Sequence, residues 1–266
     1  MPPASRPRAR TYDRHKSRAA LRAQAEAIRS VVVPLDDAQL ALPTRLGSWT
    51  VGELVAHLAT CLDALQRFLA APDDGQPART LADWAAGTRT SAALIAEDAE
   101  ERAAAGDPRR TFVASVEGAL AVLDADYGPE QRLVYRRGAM LLDDYIVTRL
   151  VETVVHADDL ADALKISDFP HDRHALASVC RLLADALAAQ APGGAVELRI
   201  PPFAVVQCVE GPRHTRGTPP NVVETAPLPW IRLATGRTTW AHAVDVAELT
   251  ASGERSDLSS LLPVMG

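Results

Sequence analysis

The amino-acid sequence predicts a mixed fold, an N-terminal helical bundle followed by a small α+β unit. Three observations predict it. From about residue 14 to about 165, apolar residues recur at three- and four-residue intervals, the period of helices with one buried face. Helix-start signals punctuate that stretch: Thr50 with Glu53, and Asp107 with Pro108. After "ISDFPHD" the pattern gives way to short apolar runs broken by Gly and Pro. The division is placed at 168/169, with residues 1–168 as the bundle and 169–266 as the α+β unit.

Taken in order, residues 14–33 form an Ala/Arg-rich amphipathic helix. "VVVPLDDAQLALPTRLGSWT" reads as a loop with two prolines. "TVGE" at 50–53 is a capping box and opens a helix running to about Ala71. "APDDGQPA" ends it, and a third helix covers about 80–105. Asp107 and Pro108 start a fourth, to about 126, and "DYGPEQ" is a loop. The last bundle helix covers about 139–165. Beyond it come a helix at about 171–190, then turn, strand, Pro-Pro break and strand through "APGGAVELRIPPFAVVQCVEG". "NVVETA" and "PWIRLATG" read as further strands, "RTTWAHAVDV" as a short helix and "AELTASG" as a closing strand. Trp230 and Trp240 read as core of this unit.

Composition narrows the function. The chain has 266 residues, 47% of them hydrophobic and 23% charged, as in ordinary globular proteins. A net charge of -6 argues against a nucleic-acid partner, which requires a basic footprint. No apolar run reaches membrane-spanning length. The basic N-terminus is followed by no apolar segment, so it is read as a tail and not as a signal peptide. Cys61, Cys180 and Cys208 are far apart, which disfavours a zinc ribbon or a disulfide framework and fits a reducing cytoplasm. Only Lys16 and Lys165 are lysines among the 28 basic residues, the coding bias of a GC-rich genome.

The chemistry-bearing stretch is "RLVETVVHADDLADAL", residues 149–164. Glu152, His156 and Asp159 stand at i, i+4 and i+7, so at 100° per residue they share one stripe. The stripe carries Leu141, Leu142 and Tyr145 before them and Leu160 and Ala163 after them. Asp144, Thr148, Asp158 and Asp162 lie on another edge, read as the solvent side. A polar patch bracketed by apolar residues fits a metal or catalytic centre, or an internally satisfied hydrogen-bond cluster; the plainer alternative is a wet face. The helix from Thr50 offers His57, on a stripe with Leu54, Cys61, Ala64, Leu65 and Phe68. His57 fits either a satisfied core histidine or a third ligand, and Cys61, one turn on, is within reach of the same ion. Two imidazoles and a carboxylate from two bundle helices suit Zn²⁺ or a similar divalent ion, with one coordination position left open.

"GSWTVGELVAHLATCLDAL" and "RLVETVVHADDLADAL" resemble the two signature helices of the mycothiol-dependent maleylpyruvate isomerase family, within the DinB-like metal-binding four-helix bundles. The resemblance spans about residues 15–165 and implies that His57, Glu152 and His156 bind a divalent metal, commonly zinc. "VHADDLA" departs from the more usual "VHxWDLA" at Asp158, a change expected to alter the solvent edge more than the ligands. Asp159 is read as orienting His156 or an N–H nearby. The remainder resembles a bacterial sterol-carrier-like domain, which often follows this bundle in actinobacterial proteins. In the isomerase family an arginine of this domain completes the active site. Arg213, Arg216, Arg232 and Arg237 are the candidates here, with Arg213 or Arg216 in the loop "RHTRGTPP" preferred. The resemblance implies a metal-dependent isomerase or thiol S-transferase that uses mycothiol on a small electrophilic, carboxylate-bearing substrate. The alternatives are a non-catalytic sterol-carrier-like protein binding a lipid or another small apolar ligand, its metal structural, and a bundle with a protein-interaction role.

Overall fold

The computed structural model describes residues 10–73, 75, 77–87, 106–135, 137–212 and 219–265. Helix α1 (Arg14–Val32) starts at Asp13, whose carboxylate accepts from the Lys16 amide and so satisfies one of the free N–H groups of the first turn. The segment expected to be all loop holds a one-turn helix, α2 (Asp37–Leu40), closed by a capping box between Asp36 and Gln39. Helix α3 (Val51–Leu69) begins at Thr50, which accepts from the Glu53 amide at 3.3 Å while the Glu53 carboxylate accepts from the Thr50 amide at 2.5 Å. Helix α4 (Leu81–Gly87) is the described part of the helix expected over 80–105; the rest lies outside the described residues. Helix α5 (Pro108–Asp124) starts as its Asp-Pro signal predicts.

The last bundle helix is shorter at its start than expected. Residues 132–141 form a hairpin instead, β1 (Arg132–Tyr135) antiparallel to β2 (Gly138–Leu141), and the helix α6 (Leu142–Leu164) follows without a break. Its side chains obscured this boundary: Ala139, Met140 and Leu141 suit a helix as well as a strand, and periodicity cannot separate the two in so short a run. Helix α6 ends at Lys165, whose left-handed backbone turns the chain out of the bundle.

Helix α7 (Arg173–Gln190) packs against α1 and α6 on one side and against the sheet of the second unit on the other. That sheet comprises β3 (Val196–Ile200), β4 (Ala204–Cys208), β5 (Val222–Thr225) and β6 (Leu249–Ser252) in the order β4-β3-β5-β6. Only β3 and β5 run parallel. The expected strand at "PWIRLATG" is in fact a helix, α8 (Pro227–Ala234). Prolines fit the first helical turn, where a missing N–H costs nothing, and Trp230, Ile231, Leu233 and Ala234 all turn inward. A short helix α9 (Trp240–Asp245) precedes β6. Trp230 is buried as expected, with its indole N–H donating to the Cys180 carbonyl, whereas Trp240 is only partly buried. No described helix is long and apolar enough to cross a membrane.

Candidate metal centre

Helices α3 and α6 lie side by side and bring His57, Glu152 and His156 together. The capping box commits Glu53 to the start of α3, so of the two polar residues there only His57 is available to the site. Its neighbours Leu54, Cys61, Ala64 and Leu65 are buried, and the ring faces α6. On α6, Glu152 Oε2 stands 3.4 Å from His156 Nε2 and 3.6 Å from His57 Nε2. The donor atoms of these three residues all lie within 4.8 Å of one another. Ligands at about 2.0–2.1 Å from a tetrahedral zinc are about 3.3–3.4 Å apart, close to the separations found. The donor set, two imidazole nitrogens and one carboxylate oxygen, therefore fits a zinc-like ion with a coordination position to spare. Cys61 Sγ is 3.3 Å from His57 Nε2 but falls outside the group that converges. Trp49 covers the other side of the His57 ring, 5.3 Å between centroids.

Behind His156 lies a lattice of charge. Asp159 Oδ2 is 2.9 Å from His156 Nδ1, an arrangement that places the proton on Nδ1 and leaves the Nε2 lone pair toward Glu152. The same carboxylate accepts from Arg45 Nε at 2.7 Å and from Arg237 Nε and Nη2 at 3.3 and 3.1 Å. Asp158 accepts from both Arg232 Nε and Nη2, at 2.9 and 2.7 Å, and from Arg45 Nη2 at 2.5 Å. The edge carrying Asp158 was expected to face solvent. Instead Asp158 is 4% exposed and Thr148 is fully buried, while Asp144 and Asp162 retain some exposure. The reason is that the second unit covers this end of α6 and supplies Arg232 and Arg237 as partners. Asp158 thus changes an interface, where the sequence suggested that it altered a surface.

These contacts set the ionisation of the site. Burial opposes charge on Glu152, but hydrogen bonds from His156 and His57 and the nearby Arg149 hold it well below the usual carboxylate range. Burial likewise opposes charge on Asp159, and His156 and Arg237 hold it far down. Burial works against a charged His57, yet Cys61 and Glu152 lift it to about 9. His156 is raised too, with burial outweighed by Asp159 and Glu152. The pocket is thus built to hold positive charge at the point where the three donors meet.

Arg213 and Arg216, the preferred arginines, lie outside the described residues. Arg232 and Arg237 reach the site's edge, each gripping an aspartate of α6. Sequence reasoning missed Arg45 and Arg149. Arg45 sits in a loop, where no periodicity marks it; Arg149 did leave a signal, an arginine inside the apolar run "VTRLVETVV" one turn before Glu152.

Comparison with known proteins bears on the family and the fold. Residues 21–161 match the family described as the mycothiol maleylpyruvate isomerase N-terminal domain, and residues 172–264 match the one described as bacterial SCP ortholog. Among solved structures, a crystal structure of the mycothiol-dependent maleylpyruvate isomerase is similar, with a TM-score of 0.61 and 17% identity over 91% of this chain and 93% of that one. A histidine-to-alanine mutant of that enzyme is similar with a TM-score of 0.59 at the same identity and coverage. At this identity the likeness establishes the shared fold. No curated protein matches the sequence.

Proposed function

We propose, since this chain belongs to the mycothiol maleylpyruvate isomerase N-terminal domain family, that it is a metal-dependent enzyme using a thiol cofactor, mycothiol, on a small electrophilic substrate that bears a carboxylate. The reaction is an isomerisation about an activated double bond, or a transfer that leaves the thiol attached. The observation that carries this reading is the convergence of His57, Glu152 and His156 within 4.8 Å beside the second unit. The units are divided at 168/169, inside the segment that separates the two family matches. The compartment proposed is the reducing cytoplasm, where a thiol cofactor stays reduced.

His57 and His156 would hold the ion through Nε2 and Glu152 through its carboxylate. Bound there, a zinc-like ion favours the thiolate form of a coordinated thiol at neutral pH, which is the form that adds to electrophilic carbon. Asp159 fixes the His156 ring and keeps its proton on Nδ1. Arg237 and Arg45 hold Asp159 in its charged form and in place. Trp49 and the apolar residues around His57 exclude water from one side of the site. Arg213 or Arg216 is proposed to take a substrate carboxylate, for which a guanidinium offers a two-pronged donor.

Elemental analysis of the purified protein tests the reading. About one divalent ion per chain is expected from a three-ligand site, and His156→Ala should lose most of it together with thiol-dependent turnover. A wild-type protein that carries no divalent ion and cannot be loaded with one contradicts the proposal.

A further inference from the structure

Among the described residues four arginines stand around the metal centre, and three of them are already matched to carboxylates. Arg45, Arg232 and Arg237 each hold Asp158 or Asp159 with at least one contact of 3.1 Å or shorter. Arg149 differs. Its side chain is 8% exposed, and Glu152, the nearest carboxylate partner among the described residues, stays 3.8 Å from Nη2. Its hydrogen bonds go to neutral groups, the Thr148 hydroxyl at 3.1 Å and the Cys61 carbonyl at 3.4 Å. The guanidinium carbon lies 4.5 Å from the centre of the Tyr145 ring. Glu152 is also the residue whose charge the metal would share, so metal loading leaves Arg149 a buried cation with little compensation. Buried charges call for a partner.

A second group on the same side lacks a partner. Tyr135, on the β1–β2 hairpin, buries its hydroxyl oxygen without a hydrogen bond to any described residue. Its ring sits 5.8 Å from Tyr145 and 6.3 Å from Phe68, and Phe68 and Tyr145 are 5.8 Å apart, so the three rings form one cluster, and Arg149 lies against its Tyr145 member. The Tyr135 ring and the Arg149 guanidinium thus both neighbour the Tyr145 ring, and the phenol also lies in the field of Arg79 and Arg137. One ligand chemistry satisfies both groups. A carboxylate accepts from the guanidinium fork and from the phenolic O–H at once, and an unsaturated chain attached to it packs against aromatic rings.

We propose that Arg149 and Tyr135 form a carboxylate-binding subsite on the bundle side of the metal centre, beside Glu152, which takes an acidic end of a short unsaturated substrate. The subsite rests on the reading of the protein as a metal-dependent enzyme for carboxylate-bearing substrates, but it is made from residues other than the proposed metal ligands. It gives the β1–β2 hairpin a purpose, since this hairpin carries Tyr135 over the site.

The test is calorimetric titration of the full chain with maleate, a short unsaturated dicarboxylate, with and without loaded zinc, and with inorganic phosphate as the control anion. Wild-type protein should bind maleate in preference to phosphate. Arg149→Met should weaken maleate binding at least about 10-fold with metal content unchanged, Arg149→Lys should recover part of the loss, and Tyr135→Phe should cost about 3- to 10-fold. Wild-type affinity in Tyr135→Phe overturns the subsite even if Arg149→Met fails to fold. So does a wild-type protein that binds no maleate in either form, or one that binds phosphate equally well. A protein that takes up no metal but binds maleate through these two residues refutes the metal reading and leaves the subsite standing.

Discussion

Asp159 accepts from three side chains at once: His156 at 2.9 Å, Arg45 at 2.7 Å and Arg237 at 3.1 Å. A carboxylate so placed orients a metal-binding imidazole and balances two guanidiniums. Asp159→Asn keeps the size but removes the charge and presents an amide N–H₂ toward groups that are donors already. Metal affinity should fall about 10- to 100-fold, the usual consequence of losing the partner of a ligating histidine. Competition against a chromophoric chelator measures it, and unchanged affinity would mean that Asp159 serves only the domain contact. At this scale the candidate ligand set was legible because a Glu and a His at i, i+4 on an apolar helix enter the bundle together, where each needs a partner. Asp158 was not legible in the same way. Its identity shows a charge, but whether a charged side chain meets water or an arginine depends on what another part of the chain lays over it.

Among the elements, the segment between α6 and α7 carries a testable pH dependence. His171 Nδ1 is 3.1 Å from the Gln24 amide nitrogen of α1, which makes Nδ1 an acceptor and the imidazole neutral, while Nε2 finds no partner among the described residues. Burial pushes its pKa down from the ordinary value to about 4. A histidine whose folded pKa is depressed binds fewer protons folded than unfolded. Its contribution to stability is therefore complete above the unfolded value, about 6.5, and is lost as pH falls through about 4. Urea melts at pH 7 and pH 5 should show a smaller drop in stability for His171→Gln than for wild type; equal drops would exclude this histidine as a source of acid sensitivity. The elements themselves divide by how local their signals are. Caps at Thr50 and Asp107 place two helix starts to within a residue or two because a cap is a contact between near neighbours. The β1–β2 hairpin and helix α8 were misread because a short run of Trp, Ile and Leu, or of Ala, Met and Leu, fits helix and strand alike. Only its burial against α7 shows which form α8 takes.

Over the whole molecule, the two units are tied through a carboxylate pair at the end of α6. Arg232 of α8 grips Asp158 with two hydrogen bonds, and Arg45, from the loop before α3, bridges Asp158 and Asp159. Asp158 is nearly buried while Arg232 keeps 32% exposure of its side chain, so solvent screens the pair in part. Arg232→Ala should cost on the order of 2 kcal/mol, less than breaking a fully buried pair, because Arg45 still serves Asp158. A double-mutant cycle with Asp158→Ala should return a coupling of about 0.5–3 kcal/mol; a value near zero would mean that the contact does not hold the units together. The two-part architecture was legible from the change in pattern after the last bundle helix, yet the interface was not, since it is made by arginines of one unit meeting aspartates of the other across a long separation in sequence.

The site is proposed to hold a metal by two imidazoles and one carboxylate, with a position open to a thiol. Zinc-edge X-ray absorption on the zinc-loaded protein, recorded before and after addition of mycothiol, tests it most directly. The expected first shell is nitrogen and oxygen alone at about 2.0–2.2 Å, with one sulfur appearing at about 2.3 Å once the thiol is present. A sulfur shell already present before the thiol is added would show that Cys61 closes the site, and a spectrum that the thiol leaves unchanged would show that the position is not open to it; either result contradicts a thiol-activating metal centre.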